Sequence, residues 1–587
     1  MVVSRIRQAP ARYVAWLAVF GLLAAALLHF SVTLSTVLSS TLQHPFQDQF
    51  RLNMRYLTVP FPLSVFLLEN GHRPVIPGVL RYLELAWLGG KTWLQASAAW
   101  AAMAVATVML LWDVTRDFSR NAARAVANAA TANETARGAP RLIAASGACL
   151  VFTLLWWNAN ARMYFHPYEA VHLFPILAAT MVAIWCMHAA MKREAGYRAW
   201  CGALLACTFA TFTFGPGITS FAALFALAVL TRQNVKVLAL IALCGALVFA
   251  SYLWLLPDSE GISRATRVFA PGKMLLYFLA RMGSPISELT AGLLDLPARI
   301  TLASLTGAGV LATAIAATFA EWKLHRRPSR LLMVAFGLFV VGASTNFLIV
   351  ANRTDYFSQH PDQLLADRYL FWGCVAWLGT ALLVLTRPAV AIGWRPWALG
   401  SATFAFSMAA LVTSQGLSSW SAEVYRRVEL GTSALVLGMS DPTYVRDIAD
   451  LDLNATYRSA AMMRNYRVAG YESRIGEQIV MSARGDLPIV ELSGTSAEGV
   501  VSGKLGAALA SDLRTKTLWL VTATGHVVGR ATMTRTCVLP HPRLYIGLVR
   551  RDCFEGYVVP DSLPSKWLVT FSGDSPVMLA ELRTPAS

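Results

Sequence analysis

Charge is scarce in this chain: only 14% of its 587 residues are Asp, Glu, Lys or Arg. Soluble domains carry about 25%, so a water-solvated globule is excluded. No Walker A sequence, no zinc-spaced Cys/His set and no Gly-x-Ser-x-Gly occurs. These absences exclude P-loop ATPases, zinc enzymes and serine hydrolases. Cysteine is also sparse. Six of the eight (Cys149, Cys186, Cys201, Cys207, Cys244 and Cys374) fall in apolar runs, where a thiol behaves as a small hydrophobe.

Apolar residues fill the space that charge leaves. They make up 56% of the chain, and many runs reach the ~20 residues that cross a bilayer as a helix. The reading is a polytopic α-helical membrane protein with about eleven spans, near 13–40, 93–112, 142–158, 171–190, 199–214, 218–231, 237–256, 300–321, 331–350, 369–386 and 396–414. The first run continues through Leu38 with no small-residue cleavage site at a suitable distance, so it reads as a retained helix, not a secretory signal. The net charge of +17 follows from basic residues crowding the cytoplasmic loops of a membrane protein, and no nucleic-acid partner is expected.

With the N-terminus inside, the inner connections hold Arg5, Arg7 and Arg12, then Arg116, Arg120, Arg124, Arg137 and Arg141, then Lys192, Arg193, Arg198, Arg232 and Lys236. Lys323, Arg326, Arg327, Arg330, Arg387 and Arg395 complete the set. The positive-inside rule supports this orientation. An odd number of spans then puts the C-terminal part outside, which is the periplasm if the host membrane is a bacterial inner membrane. Cys537 and Cys553 are the only cysteines of that part. In an oxidising compartment they are expected to form a disulfide, two unrelated buried thiols being the alternative.

Two domains are expected, a membrane domain over 1–414 and an outer domain over 415–587. Residues 415–485 read as helical. From 486 to 587, short Val/Leu/Thr/Trp runs broken by Gly, Pro and Asp predict a β-sandwich of jelly-roll type, with "TATG" as a hairpin turn. Such a module either packs beside sugars or caps the membrane domain; composition leaves both open.

Outer connections are long and rich in aromatic and ionisable groups, so chemistry is expected there. The first, 41–92, carries Asp48 in "FQDQF" and Glu69-Asn-Gly-His-Arg shortly after. In IPGVLRYLELAWL, apolar residues recur at helical spacing opposite Arg81 and Glu84, and Pro77 sits near the helix start, which predicts a helix lying in the membrane interface. "TFTFGPGITS" breaks an apolar run at Gly215-Pro216-Gly217, either as a pocket floor or as a tight outer turn.

This arrangement resembles the GT-C glycosyltransferases, polyprenyl-phosphate-sugar-dependent enzymes such as bacterial arabinofuranosyl- and mannosyltransferases. The resemblance rests on the N-in first span, the acidic first loop with interfacial helices, the dozen or so spans and the C-terminal periplasmic domain. It implies transfer of a sugar from a polyprenyl-phosphate donor to a glycan, lipid or pilin-like protein acceptor, with inversion. It also implies a first-loop acid as general base, Asp48 first and Glu69 second. Gln47 and Gln49 stand where the family often has a second acid, so no metal cofactor is expected. A growing negative charge on the leaving phosphate calls for cations, for which His72, Arg73, Arg264, Arg267, Lys273, Arg353 and Arg368 are candidates. Glu169 and His172, three apart on one helical face, are candidates for acceptor binding, or a structural pair. A flippase of lipid-linked saccharides and a membrane O-acyltransferase are the alternatives. Charges are scarce inside the spans, and His188 lies near the inner face.

Overall fold

Where backbone is removed from water, its N–H and C=O groups must be satisfied within the segment, so the apolar runs fold as helices. The computed structural model describes residues 2–583 apart from 70, 129–133, 193–195, 255–269, 325–327, 388–389, 391–393, 440–442, 450–451, 481–486, 496–498, 506–516, 535–552, 560–564 and 573–574. Helix α1 (Val2–Ser40) leads into the first loop, which holds α2 (Gln49–Thr58) and α3 (Val75–Trp87). Then come α4 (Trp93–Asn128), α5 (Glu134–Leu155), α6 (Ala161–Phe165), α7 (Pro167–Met191), α8 (Gly196–Thr213), α9 (Thr219–Leu230) and α10 (Val235–Leu253). The series continues with α11 (Pro271–Met282), α12 (Ser284–Leu289), α13 (Leu296–Leu324), α14 (Arg330–Gln359), α15 (Leu370–Leu385), α16 (Arg395–Leu437), α17 (Tyr444–Ile448) and α18 (Leu453–Tyr466).

Among the described residues, nine segments are long and apolar enough to cross a membrane. The expectation of eleven differs at α8 and α9. These have 18 and 12 residues and meet at a 3-10 turn, Gly215–Ile218. The turn packs against the first loop: a Cβ on Gly215 would lie 2.6 Å from His72 Nδ1. Gly215-Pro216-Gly217 is therefore a turn between helices and also a wall beside the loop. At the opposite end of the bundle, Asp113 on α4 accepts from Trp185 on α7 at 2.8 Å and pairs with Arg330 on α14, whose guanidinium lies 3.9 Å from the Trp185 ring. One buried carboxylate thus ties three helices.

Helix α3 carries the expected two faces, but their environments are the reverse of a water-exposed polar stripe. Arg81 and Glu84 are each 1% exposed, whereas Trp87 and Leu88 are 76% and 54% exposed. The polar stripe turns into the protein because Glu69 and Gln95 await it there. The apolar stripe is half-buried over Ile76, Val79, Leu80 and Leu83 and exposed only at its end, at Ala86 and Trp87, and Phe61, Leu63 and Phe66 of the same loop are exposed as well.

Helix α16 does not stop at the expected domain boundary of 414/415. It is one helix of 43 residues, about 65 Å at 1.5 Å per residue, and its second half packs with α17 and α18. Val428, Leu435, Val445, Ile448 and Met463 of α16 to α18 share one core with Leu42, Phe50, Tyr56, Val65 and Leu85 of the first loop. The first loop and α16 to α18 are a single packed unit.

The C-terminal strands correct the expectation of a sandwich or jelly roll. β1 (Ile489–Thr495), β2 (Val500–Lys504), β3 (Leu518–Thr522), β4 (Val527–Thr534), β5 (Cys553–Val558), β6 (Ser565–Ser572) and β7 (Ser575–Arg583) form a closed barrel in the order β1-β2-β5-β4-β3-β6-β7. Closure is by the parallel pairing of Ile489 to Glu581 and Val490 to Leu582, which leaves no unpaired edge. The expected hairpin turn is present between β3 and β4, with Gly525 at φ 87°. Cys553 is disulfide-bonded. Cys537, its expected partner, lies outside the described residues, and the six cysteines of the apolar runs are free.

Candidate functional site

Asp48 sits on a turn that packing holds in an unfavourable backbone state. Gln47 has φ 52°, a conformation few non-glycine residues adopt. The turn is held because the Gln47 N–H donates to Ile448 O at 2.8 Å and the Phe46 N–H to Gln49 Oε1 at 3.0 Å. Asp48 then projects from the start of α2 with its side chain 33% exposed, 3.6 Å from Arg51. The other two acids of the loop, Glu69 and Glu84, are 3% and 1% exposed.

The two glutamines beside Asp48 have partners of their own. Arg162 donates to Gln47 Oε1 at 3.1 Å and to Glu169 Oε1 at 2.6 Å. His166 lies 3.2 Å from Gln49 Oε1 and 3.4 Å from Glu169 Oε1. Glu169 already balances Arg162, so neutral amides suit positions 47 and 49 better than further carboxylates. Burial pushes the His166 imidazole below its usual range, with Glu169 opposing. Neither Arg162 nor His166 was among the sequence candidates, although both stand in the same "ARMYFHPYE" stretch.

Glu69 is enclosed. It pairs with Arg81, accepts from Tyr168 at 3.2 Å and from Tyr56 at 3.5 Å, and lies 3.6 Å from His172. The Arg81 guanidinium stacks over the Tyr168 and Tyr56 rings at 4.7 and 5.4 Å. Burial alone disfavours the Arg81 cation, yet Glu69 outweighs it and holds its pKa above the ordinary arginine value. Burial likewise raises the Tyr56 phenol. Glu169 and His172, expected as a pair on one helical face, have different partners: Glu169 has Arg162 and His166, and His172 has Glu69.

Two of the candidate cations, Arg353 and Arg368, meet a third arginine at one aromatic ring. Arg281, Arg353 and Arg368 hold their guanidinium carbons 5.0, 5.6 and 5.0 Å from the Tyr369 centroid. Arg353 is exposed at a break in α14, where its φ is −132°. Arg368 donates to Gln363 at 2.9 Å, and its backbone N–H to Asp367 at 2.7 Å. Arg281, absent from the sequence candidates, is 0% exposed and donates to the carbonyls of Leu364 and Tyr369. Burial drives it down to about 9. Three like charges on one ring repel unless an anion joins them. His72 faces the same side: burial first, then Arg353, drives it down to about 4. Its ring stacks on Phe214 at 4.2 Å and its Nδ1 lies 3.2 Å from Tyr252 Oη, which also accepts from the Arg73 backbone N–H. Lys273 is exposed at the start of α11. Arg264 and Arg267 lie outside the described residues.

Helices α9, α10, α11 and α14 form an apolar groove of about 660 Å³, lined by Ile218, Phe221, Phe249, Phe278, Phe347 and Leu348 among others. Ile218 ends the turn against which His72 packs, and Leu348 precedes Arg353 by about 7.5 Å of helix. Among the described residues, no three His, Cys, Asp or Glu side chains are grouped to hold a metal ion. Comparison with protein-family models, curated proteins and solved structures finds no match. Any functional assignment therefore rests on the site itself.

Proposed function

We propose that the chain is a GT-C-like glycosyltransferase that moves a sugar from a polyprenyl-phosphate donor to a glycan, lipid or pilin-like protein acceptor. The observation that carries the reading is the crowd of guanidinium groups on Tyr369, with Arg281 and Arg353 on the same helices, α11 and α14, that lend Phe278 and Leu348 to an apolar groove. A lipid phosphate matches both parts, with its isoprenoid chain in the groove and its phosphate among Arg353, Arg368 and His72. Asp48 is the one carboxylate of the first loop that is partly exposed, with its side chain 33% exposed.

In this mechanism Asp48 takes the proton of the acceptor hydroxyl while that oxygen attacks the anomeric carbon from the face opposite the phosphate. The bond from carbon to phosphate oxygen breaks, and the departing polyprenyl phosphate gains negative charge that the arginines neutralise. Configuration inverts in this single displacement. Asp48 faces the periplasm of a bacterial inner membrane if the basic inner loops orient the chain.

The test is transfer from polyprenyl-phosphate sugars in nanodiscs. Asp48→Asn is expected to lower turnover by about 10²- to 10⁴-fold, and Arg353→Ala and Arg368→Ala to raise the donor KM. Unchanged turnover in Asp48→Asn removes that residue as the base. The groove and cations would also suit a carrier of lipid-linked saccharides. Transbilayer movement of such lipids, without transfer and unaffected by Asp48→Asn, would favour that reading.

A further inference from the structure

The β-barrel reaches the first loop through a buried arginine. Arg530, on β4, points out of the barrel and is 2% exposed. Its Nη2 lies 3.5 Å from His44 Nε2, and that same nitrogen is 3.3 Å from Glu429 Oε1 on α16. The other ring nitrogen, Nδ1, donates to the Ala469 carbonyl at 2.9 Å. The loop at 467–471 that supplies this carbonyl fits closely round the ring: a Cβ on Gly470 would lie 2.3 Å from His44 Cε1. Four segments therefore meet at one imidazole: the first loop, α16, the turn after α18, and the barrel.

Burying a guanidinium is costly unless it is paired, and barrel stability gives no reason to aim one outward. Around it the barrel docks by Arg426 to Glu555 at 2.8 Å and by Tyr557, which belongs to the core shared by the first loop and α16 to α18. His44 precedes Asp48 by four residues. The intervening turn is tied to the same unit, through Gln47 N–H to Ile448 O and Ser459 Oγ to Phe50 O.

We propose that the barrel is a positioning element for the first loop, with Arg530 and His44 as positioning residues that fix where Asp48 stands. The structural part of this proposal is independent of the transferase reading; its effect on turnover rests on that reading.

The experiment uses the full chain in nanodiscs and compares wild type with Arg530→Met, Arg530→Lys and His44→Gln. Amide exchange is followed over 42–50, with β3 and β6 as a control for barrel folding. Transfer kinetics are measured alongside. The expected result is faster exchange over 42–50 in Arg530→Met and His44→Gln with β3 and β6 still protected. With it, kcat falls about ten- to a hundredfold at unchanged donor KM, and Arg530→Lys, which keeps the cation, recovers part of the loss. If Arg530→Met also exposes β3 and β6, His44→Gln, which changes no barrel residue, decides. Unaltered exchange over 42–50 in His44→Gln overturns the positioning role. Faster exchange with unaltered kcat overturns its catalytic consequence. Absence of transfer by wild type removes the transferase reading alone and leaves exchange to decide the rest.

Discussion

The Glu69–Arg81 pair offers the sharpest check on the site, because both side chains are only 2% exposed. Arg81→Met leaves Glu69 with Tyr56, Tyr168 and His172 as partners. Removing one member of a buried pair typically costs about 3–5 kcal/mol. The two phenol hydrogen bonds, each about 1.5–3 kcal/mol to a charged acceptor, are already present in wild type and so do not offset that loss. Glu69→Gln leaves the Arg81 cation over two aromatic rings. Such stacking is worth up to about 2 kcal/mol when desolvated, but it too is present in wild type and offsets nothing, so this variant is expected in the same range of about 3–5 kcal/mol. The double variant buries no charge, and its loss should fall short of the sum of the singles by about 2 kcal/mol or more. Unfolding in mixed detergent, followed by tryptophan fluorescence, measures all three. Single losses under about 1 kcal/mol, or additivity within about 0.5 kcal/mol, would refute a dry, mutually dependent pair. The same variants separate the two candidate bases of the loop: the folded Glu69→Gln/Arg81→Met protein should keep transfer activity that Asp48→Asn lacks.

Two glycines two residues apart should respond differently. Gly217→Ala drives a Cβ to 1.9 Å from the Ala210 carbonyl, a backbone atom, and should lower stability by about 1–3 kcal/mol. Gly215→Ala meets the His72 ring instead and should weaken donor binding with little loss of stability, as read by donor KM and by unfolding. His72 sets a pH dependence. Its folded value of about 4 lies below its ordinary 6.5, so the unfolded chain binds the proton first as pH falls. Its contribution to stability is complete above 6.5 and is lost from there down toward 4. His72→Gln should flatten that part of the stability profile; an unchanged slope would refute the buried neutral imidazole.

Much of the helical architecture was legible because a 3.6-residue period and apolar length act locally. The runs that became α1, α4, α7, α10, α14 and α15 need no distant partner to be recognised, and neither does the hairpin turn at Gly525. Helix α3 shows where local reading stops. Its two stripes were plain in the sequence, but which one faces the protein depends on Glu69 and Gln95, which lie outside the helix. The barrel was missed for the same reason: alternation predicts strands, whereas closure depends on β1 meeting β7 across nearly the whole domain.

By itself, the sequence determined that this chain folds largely into helices long and apolar enough to cross a membrane, that many of its ionisable groups collect in a few connections, and that a β-domain follows. Composition and periodicity suffice for that, since both act over a few residues. Tertiary structure alone decided that Gln47 and Gln49 serve Arg162 and His166, that Arg281 joins Arg353 and Arg368 on Tyr369, and that Arg530 reaches His44. These groups lie up to hundreds of residues apart in the chain. Only burial, which penalises every unpaired charge, determines which of them must meet.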